Sequence, residues 1–298
     1  MSCVWACPLN NGRTMTRYYC FGGITISVEG VPGGVPDGEY LVPFRSKKPA
    51  ADLKIIVHEE KLTDFDFADR RYRSRLIELN GRLCIVSEFS HMPAAVVAAL
   101  DDWGKPSITV TVNPEIYEEK GFTINQLLAI SGFTSALVFR GCAVFHCSYV
   151  LTGNKALLFA GASGAGKSTQ AALWERLRGA RIINGDRAIL FRRSDGWYAG
   201  GISVCGSSRI CENRTAKIAA VIALEKGTDN RLLPMSVSEK YRTILAGMAF
   251  QRQSPEESER ADRMAMEIIS KLPIFRFYNQ ADAESVDVLE HEIRRCFI

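Results

Sequence analysis

Lys167 stands in a stretch whose residue types and spacing spell out a chemistry. Residues 161–168, Gly161-Ala162-Ser163-Gly164-Ala165-Gly166-Lys167-Ser168, fit the pattern G-x-x-x-x-G-K-[ST]. Glycines let a backbone turn where a Cβ would clash, and the N–H groups then converge on an anion. The lysine adds a point charge toward the β- and γ-phosphates of a nucleotide, and the Ser168 hydroxyl suits Mg²⁺. With Thr169 in the first helical turn, the expected cradle for ATP runs from Gly161 through Ala162, Ser163, Gly164, Ala165, Gly166, Lys167 and Ser168 to Thr169. The alternative is a glycine-rich β–α turn that binds nothing.

Two further residues could act on what that loop holds. Asp186 ends the short apolar run Arg181–Asn184 through Gly185, soon after the segment that follows the loop. An acid there can hold Mg²⁺ or accept a proton from an attacking hydroxyl; otherwise it is a turn aspartate. His146 lies in the apolar run Cys142–Leu151. Gly153-Asn154 between two apolar runs signals a two-residue hairpin. If Gly153 and Asn154 form the turn, Thr152 pairs with Lys155 and His146 with Gly161 at the mouth of the loop; otherwise His146 is a structural histidine on a strand.

These residues need a scaffold. Ala156–Ala160 reads as a buried strand, and Ser168–Arg178 has helical spacing, so its positive end faces the loop. Thr123–Arg140 reads as one helix with Gly132 as a weak point, packing on the sheet that carries the loop. Strands are expected at 218–224, at 231–235 as an edge strand carrying Pro234, and at 274–278. Helices are expected over 238–250, from Ser254-Pro255-Glu256-Glu257 to about Lys271, and over 283–295. Acids on these helices read as solvated faces. Residues 200–217 form a long polar loop with Arg209, Arg214 and Lys217, which either grips phosphate or substrate or is a solvated surface.

Upstream the chain is β-rich. Residues 17–29 form strands broken at Gly22-Gly23, 51–58 and 107–112 are strands, and Asn80-Gly81 turns a hairpin between 76–79 and 83–88. Pro93–Trp103 reads as a short helix. Asp64–Arg75 is polar and exposed. His58 and His91 have no evident partners. The expected organisation is an unpatterned stretch 1–15, a β-rich domain 16–115 and an α/β domain 120–298, the boundary falling near 113–122.

Composition narrows the classes. Hydrophobic residues make up 47% and charged ones 23%, with a net charge of +4, so a core can form. No basic run with interleaved aromatics suggests nucleic acid, and no apolar run is long enough to suggest a membrane span. Nine cysteines without C-x-x-C, and an N-terminus without the order of a secretory signal, lead to the expectation of free thiols in a cytoplasmic protein. Cys3 with Cys7, or Cys205 with Cys211, could pair on a metal, although four-ligand zinc spacing is missing.

The order His146, glycine loop, helix, Asp186 resembles HPr serine kinase and its relatives, which share a nucleotide-binding core with PEP carboxykinase. In that family a histidine precedes the first loop glycine by fifteen residues, the interval from His146 to Gly161. The family's loop, G-x-S-G-x-G-K-S, is matched by Gly161, Ser163, Gly164, Gly166, Lys167 and Ser168. Its acidic pair is matched only by Asp186, with Gly185 in the first place, and its later arginine-bearing signature is not recognisable. The remainder resembles the HPr-kinase-like proteins found with ribosomally made, modified peptides. The resemblance implies an HPr kinase/PEP carboxykinase-like α/β P-loop core with a mixed sheet and flanking helices. It implies a Mg-ATP-dependent serine kinase whose catalytic residues are Asp186, His146 and Lys167, with Ser168 and Asp186 on the metal. The acceptor it implies is a serine of a peptide or small protein, and homo-oligomers occur among relatives. A nucleotide-binding module without transfer and a small-molecule kinase remain the alternatives.

Overall fold

The computed structural model describes residues 14–62 and 74–297. The polar stretch expected at 64–75 therefore lies almost wholly outside the described residues, as does the N-terminal stretch with Cys3 and Cys7. Two compact units divide the chain. One takes in the residues up to Cys20 and Ile24–Ser131; the other takes in Phe21–Gly23 and Gly132–Ile298.

The first unit is built on a seven-stranded mixed sheet. Its strands are β1 (Thr14–Phe21), β2 (Ile24–Pro32), β3 (Leu53–Glu59), β4 (Ser74–Leu79), β5 (Arg82–Phe89), β6 (Met92–Ala99) and β7 (Ser107–Val112), in the order β1-β2-β3-β7-β6-β5-β4. Asn80-Gly81 turns β4 into β5, with Leu79 opposite Arg82. The helix expected over 93–103 is instead β6 followed by a 3₁₀ turn at Leu100–Asp102. Val96 and Val97 pair with Val112 and Thr111 of β7, so the sheet neighbour decides where the short apolar run fits either period. Asp37, 1% exposed at its side chain, lies 2.8 Å from Arg17 and 2.5 Å from Arg45.

The helix expected over 123–140 is two helices. α1 (Ile124–Ile130) belongs to the first unit and α2 (Phe133–Val138) to the second. Gly132 between them takes φ 78°, a left-handed conformation that a helix interior does not contain. Of the two, α2 packs on a strand of the second sheet, residues Cys142–His146.

That second sheet has ten strands: β8 (Cys142–His146), β9 (Ser148–Thr152), β10 (Lys155–Ala160), β11 (Arg181–Asn184), β12 (Arg187–Arg193), β13 (Gly196–Gly200), β14 (Thr215–Lys226), β15 (Arg231–Pro234), β16 (Met248–Ala249) and β17 (Ile274–Asn279). β10, β14 and β17 are parallel neighbours. Such strands are buried on both faces and read as continuous apolar runs. Leu157 and Phe159 of β10 pack with α3 (Lys167–Arg178) and α6 (Ala283–Ile293). Ala156, Leu158 and Ala160 face the opposite core, which α4 (Val237–Gly247) and α5 (Pro255–Lys271) close. The unit is thus a sheet between two helical layers. β15 pairs only with β17, which leaves Pro234 on an edge where its missing N–H costs nothing.

One ladder departs from the sequence reading. The run expected as a single strand, 142–151, breaks at Cys147 into β8 and β9. Opposite it, the chain bends at Gly185-Asp186 between β11 and β12. β9 pairs with β11 and with β10, whereas β8 pairs with β12. The two bends hold each other: the Cys147 N–H donates to the Asp186 carbonyl at 3.0 Å, and the Ser148 hydroxyl donates to the Gly185 carbonyl at 3.0 Å. This doubly bent ladder carries the sheet back on itself and sets both His146 and Asp186 at the corner.

Among the described residues no helix is long and apolar enough to cross a membrane.

Candidate functional site

The glycine loop joins the end of β10 to the start of α3. At Gly161 the chain passes β14 closely: a Cβ there would lie 2.7 Å from the Leu224 carbonyl oxygen, and φ is 144°, so only glycine fits without strain. Gly166 is the N-cap of α3 and has no side chain with which to cap. The first N–H groups of a helix lack intrahelical partners, and no acid occupies the first turn of α3 to compete for them. An uncapped, acid-free helix start of this kind favours an anion. The Lys167 ammonium folds back over the loop, donating to the Gly161 carbonyl at 2.9 Å and the Ala162 carbonyl at 3.1 Å. Ser168 and Thr169, on the same turn, are exposed.

Asp186 and His146 are brought together, but not in the register the hairpin implied. The Gly153-Asn154 turn does set Thr152 against Lys155, and the pairing continues to Ser148 against Phe159. There the strand breaks, and His146 pairs with Arg187 of β12 rather than with Gly161. Its Nε2 lies 3.6 Å from Asp186 Oδ1, ion-pair range rather than a hydrogen bond. The Asp186 carboxylate, 24% exposed, takes a contact from Arg187 Nε at 3.1 Å on its other oxygen.

The electrostatics tie these groups to the loop. Partial burial lowers the His146 pKa below its ordinary value, Lys167 and Arg187 push it further down, and Asp186 opposes them. Burial also lowers the Lys167 pKa, against the attraction of Asp186. His146 thus feels the charges of Lys167, Asp186 and Arg187, and Lys167 feels Asp186, so the four form one charge cluster. A neutral imidazole beside a carboxylate can orient or relay a proton at neutral pH. Asp186 and the Ser168 hydroxyl are hard oxygen donors of the kind Mg²⁺ takes, and the uncapped turn leaves room for phosphate oxygens. The residues present therefore fit Mg²⁺ and a nucleotide's phosphates. A cleft of about 550 Å³ opens beside Gly164, Gly166 and Thr169, along the C-terminal ends of β14 and β17 at Gly227, Asn279 and Gln280. This is the edge at which parallel sheets take ligands.

Three residues escaped the sequence reading. Arg187 is a charge contact of Asp186. Asn184 is fully buried and holds the bend: its side-chain oxygen accepts the N–H of Asp186 and of Arg187, each at 2.9 Å. Its amide donates to the carbonyls of Ile202 at 2.8 Å and Val204 at 2.9 Å. An Asn two residues before a turn acid is an Asx-turn signal that could have found it. Ser208 fills the space beside Gly185, where a Cβ would lie 2.3 Å from its Oγ and 2.4 Å from its Cβ. The long loop 200–217 thus packs on the bend. Its Cys211 bridges to Asn184, and the Glu212 N–H donates to the Ile183 carbonyl at 2.9 Å.

No protein-family model matches the chain. Among solved structures, it is similar to the Hpr(Ser) kinase/phosphatase from Coxiella burnetii, at 15% identity over 52% of this chain and 97% of that one, with a TM-score of 0.30. A likeness of that size carries nothing about activity.

Proposed function

We propose that the chain is an ATP-dependent phosphotransferase that moves the γ-phosphoryl group to a serine or threonine hydroxyl of a peptide or small protein. The observation that carries this reading is the charge cluster at the uncapped start of α3: Lys167 at the loop, with Asp186 and His146 3.6 Å apart on the neighbouring bend. The resemblance of residues 140–200 to the HPr serine kinase family supports it.

In this reading the loop N–H groups and Lys167 hold the β- and γ-phosphates. Ser168 and Asp186 hold Mg²⁺, which neutralises charge on the phosphates. Asp186 accepts the acceptor's proton, and His146 steadies the carboxylate. Phosphoryl transfer needs mainly positioning and charge neutralisation, and a positioned base adds roughly 10²–10⁴ in rate. Incubation with labelled ATP and serine peptides tests the assignment. Lys167→Ala is expected to lose nucleotide binding and transfer together. Asp186→Asn is expected to keep most binding and lose about two orders of magnitude or more in transfer. Unchanged transfer in both variants removes the reading.

A second reading, a nucleotide-binding module without transfer, is favoured by Gly185. Ser208 occupies the place of any side chain there, so the bend carries one acid where the family it resembles carries two. Mg-ATP binding with no labelled product from any hydroxyl acceptor selects it.

A further inference from the structure

A turn of the same chain already lies against the carboxylate that the proposed transfer requires. Gly206–Ser208 forms a 3₁₀ turn within the loop 200–217. A Cβ on Gly206 would lie 2.9 Å from Cγ of Asp186 and 3.1 Å from its Oδ1, so the backbone at 206 rests on the carboxylate. Two residues on, the Ser208 side chain is pressed against Gly185. These contacts place a Gly-Ser-Ser segment against the bend, over Asp186 and the residue before it.

The two hydroxyls of that segment differ. Ser208 is half-buried and engaged, donating to the Cys205 carbonyl at 2.6 Å and accepting from the Ile210 N–H at 3.3 Å. It works as an anchor. Ser207 is exposed and has no hydrogen-bond partner among the described residues. It is joined directly to the residue that touches Asp186. The segment is not a loose strap, because Asn184 grips the carbonyls of Ile202 and Val204 on one side and β11 takes Cys211 and Glu212 on the other. A tethered hydroxyl has a high effective concentration, so a modest fit is enough for reaction.

We propose that Ser207 is a self-phosphorylation site, the chain's own acceptor. The Ser207 Oγ forms a bond to the γ-phosphorus of ATP, the bond from that phosphorus to the β,γ-bridging oxygen breaks, ADP leaves, and the hydroxyl proton passes to Asp186. The product is a phosphoserine on the turn that covers Asp186, adding negative charge beside a carboxylate. The inference rests on the phosphotransferase reading.

The full chain with Mg-ATP, followed by intact mass and peptide mapping, tests it. The expected result is one phosphoryl group per chain, located at Ser207, at a rate per molecule that does not change on dilution. Ser207→Ala is expected to lose the label, Ser207→Thr to carry it as phosphothreonine, and Ser208→Ala to retain it at 207. A label on Ser208 or outside the turn, a rate that falls on dilution, or an unlabelled chain overturns the proposal. Nucleotide binding and transfer to an added serine peptide are measured on the same sample. An unlabelled chain that phosphorylates the peptide overturns the self-acceptor alone; a chain that does neither overturns both readings.

Discussion

At the scale of single residues, the site turns on a glycine that the resemblance alone would count as a loss. Gly185 stands where the family this chain resembles has an acid, yet the space beside it is filled by Ser208. Both Oγ and Cβ of Ser208 would meet an added Cβ, so rotating the hydroxyl cannot relieve the clash. Gly185→Ala should therefore push the Gly206–Ser208 turn off Asp186, at a cost of about 1–3 kcal/mol, the usual range for overpacking. Gly185→Asp should lower transfer rather than improve it. The check is a double-mutant cycle: Ser208→Gly in the Gly185→Ala background is expected to recover stability and rate, with a coupling of roughly 0.5–3 kcal/mol. Additive losses would show that the two side-chain positions do not compete. None of this was legible in the sequence, because residues 185 and 208 meet only through folding of a loop whose own pattern is irregular. The glycine loop itself was legible, since its turn, strand and helix are consecutive and each follows from local spacing.

At the scale of elements, a corner of the sheet positions the acid, and one buried side chain fixes that corner. Asn184 uses its whole amide: two N–H groups of the bend are accepted and two loop carbonyls are donated to. Asn184→Ala leaves four backbone groups without their side-chain partner, one of these bonds buried and three partly buried. With a cost near 1–3 kcal/mol for each unsatisfied group and partial rescue by water, the net loss should be on the order of 3 kcal/mol. Urea unfolding measures it. Transfer should fall more than nucleotide binding does, because Asp186 moves while the α3 start does not. Equal losses in both would mean that the asparagine supports the unit in general rather than the bend.

The same corner shows where reading by pattern stopped. Residues 142–151 read as one apolar strand, and the hairpin at 153–154, legible from its turn residues, sets Thr152 against Lys155. Nothing local marks the break at Cys147, since the cause is a partner strand that bends opposite it. His146 consequently reaches the site through β12 rather than through the hairpin. The segment 93–103 failed for a related reason: its apolar residues satisfy either period, and pairing with β7 settled the matter.

At the scale of the whole molecule, the two units carry buried carboxyls that answer acid in opposite ways. In the first unit Asp37 is buried, which alone would raise its pKa. The hydrogen bonds from Arg45 and Arg17, with the charges of both, outweigh that and hold it below its ordinary value of 3.8. A depressed carboxyl gives stability that is complete above the unfolded value and is lost as pH falls through the folded one. In the second unit Glu257 is fully buried at the start of α5, not on the solvated face expected of it, and burial raises its pKa above the ordinary 4.5. A raised carboxyl works the other way. Its stabilising share is complete below 4.5 and is lost as pH rises through the folded value, because ionisation then costs more in the folded state. Calorimetry of the wild type and two variants between about pH 7 and pH 3 separates the units. Glu257→Gln should be more stable than wild type at neutral pH, and the gain should vanish as pH drops below the glutamate's ordinary value. Asp37→Asn should be less stable at neutral pH by up to about 3–5 kcal/mol, the usual cost of breaking a buried ion pair. That deficit should hold through the range where the Glu257 effect disappears and close only below 3.8, as the wild-type carboxylate itself protonates. A Glu257→Gln gain that persists at low pH, or an Asp37→Asn deficit already closing at the pH where Glu257 titrates, would show that these carboxyls do not carry the two slopes assigned to them.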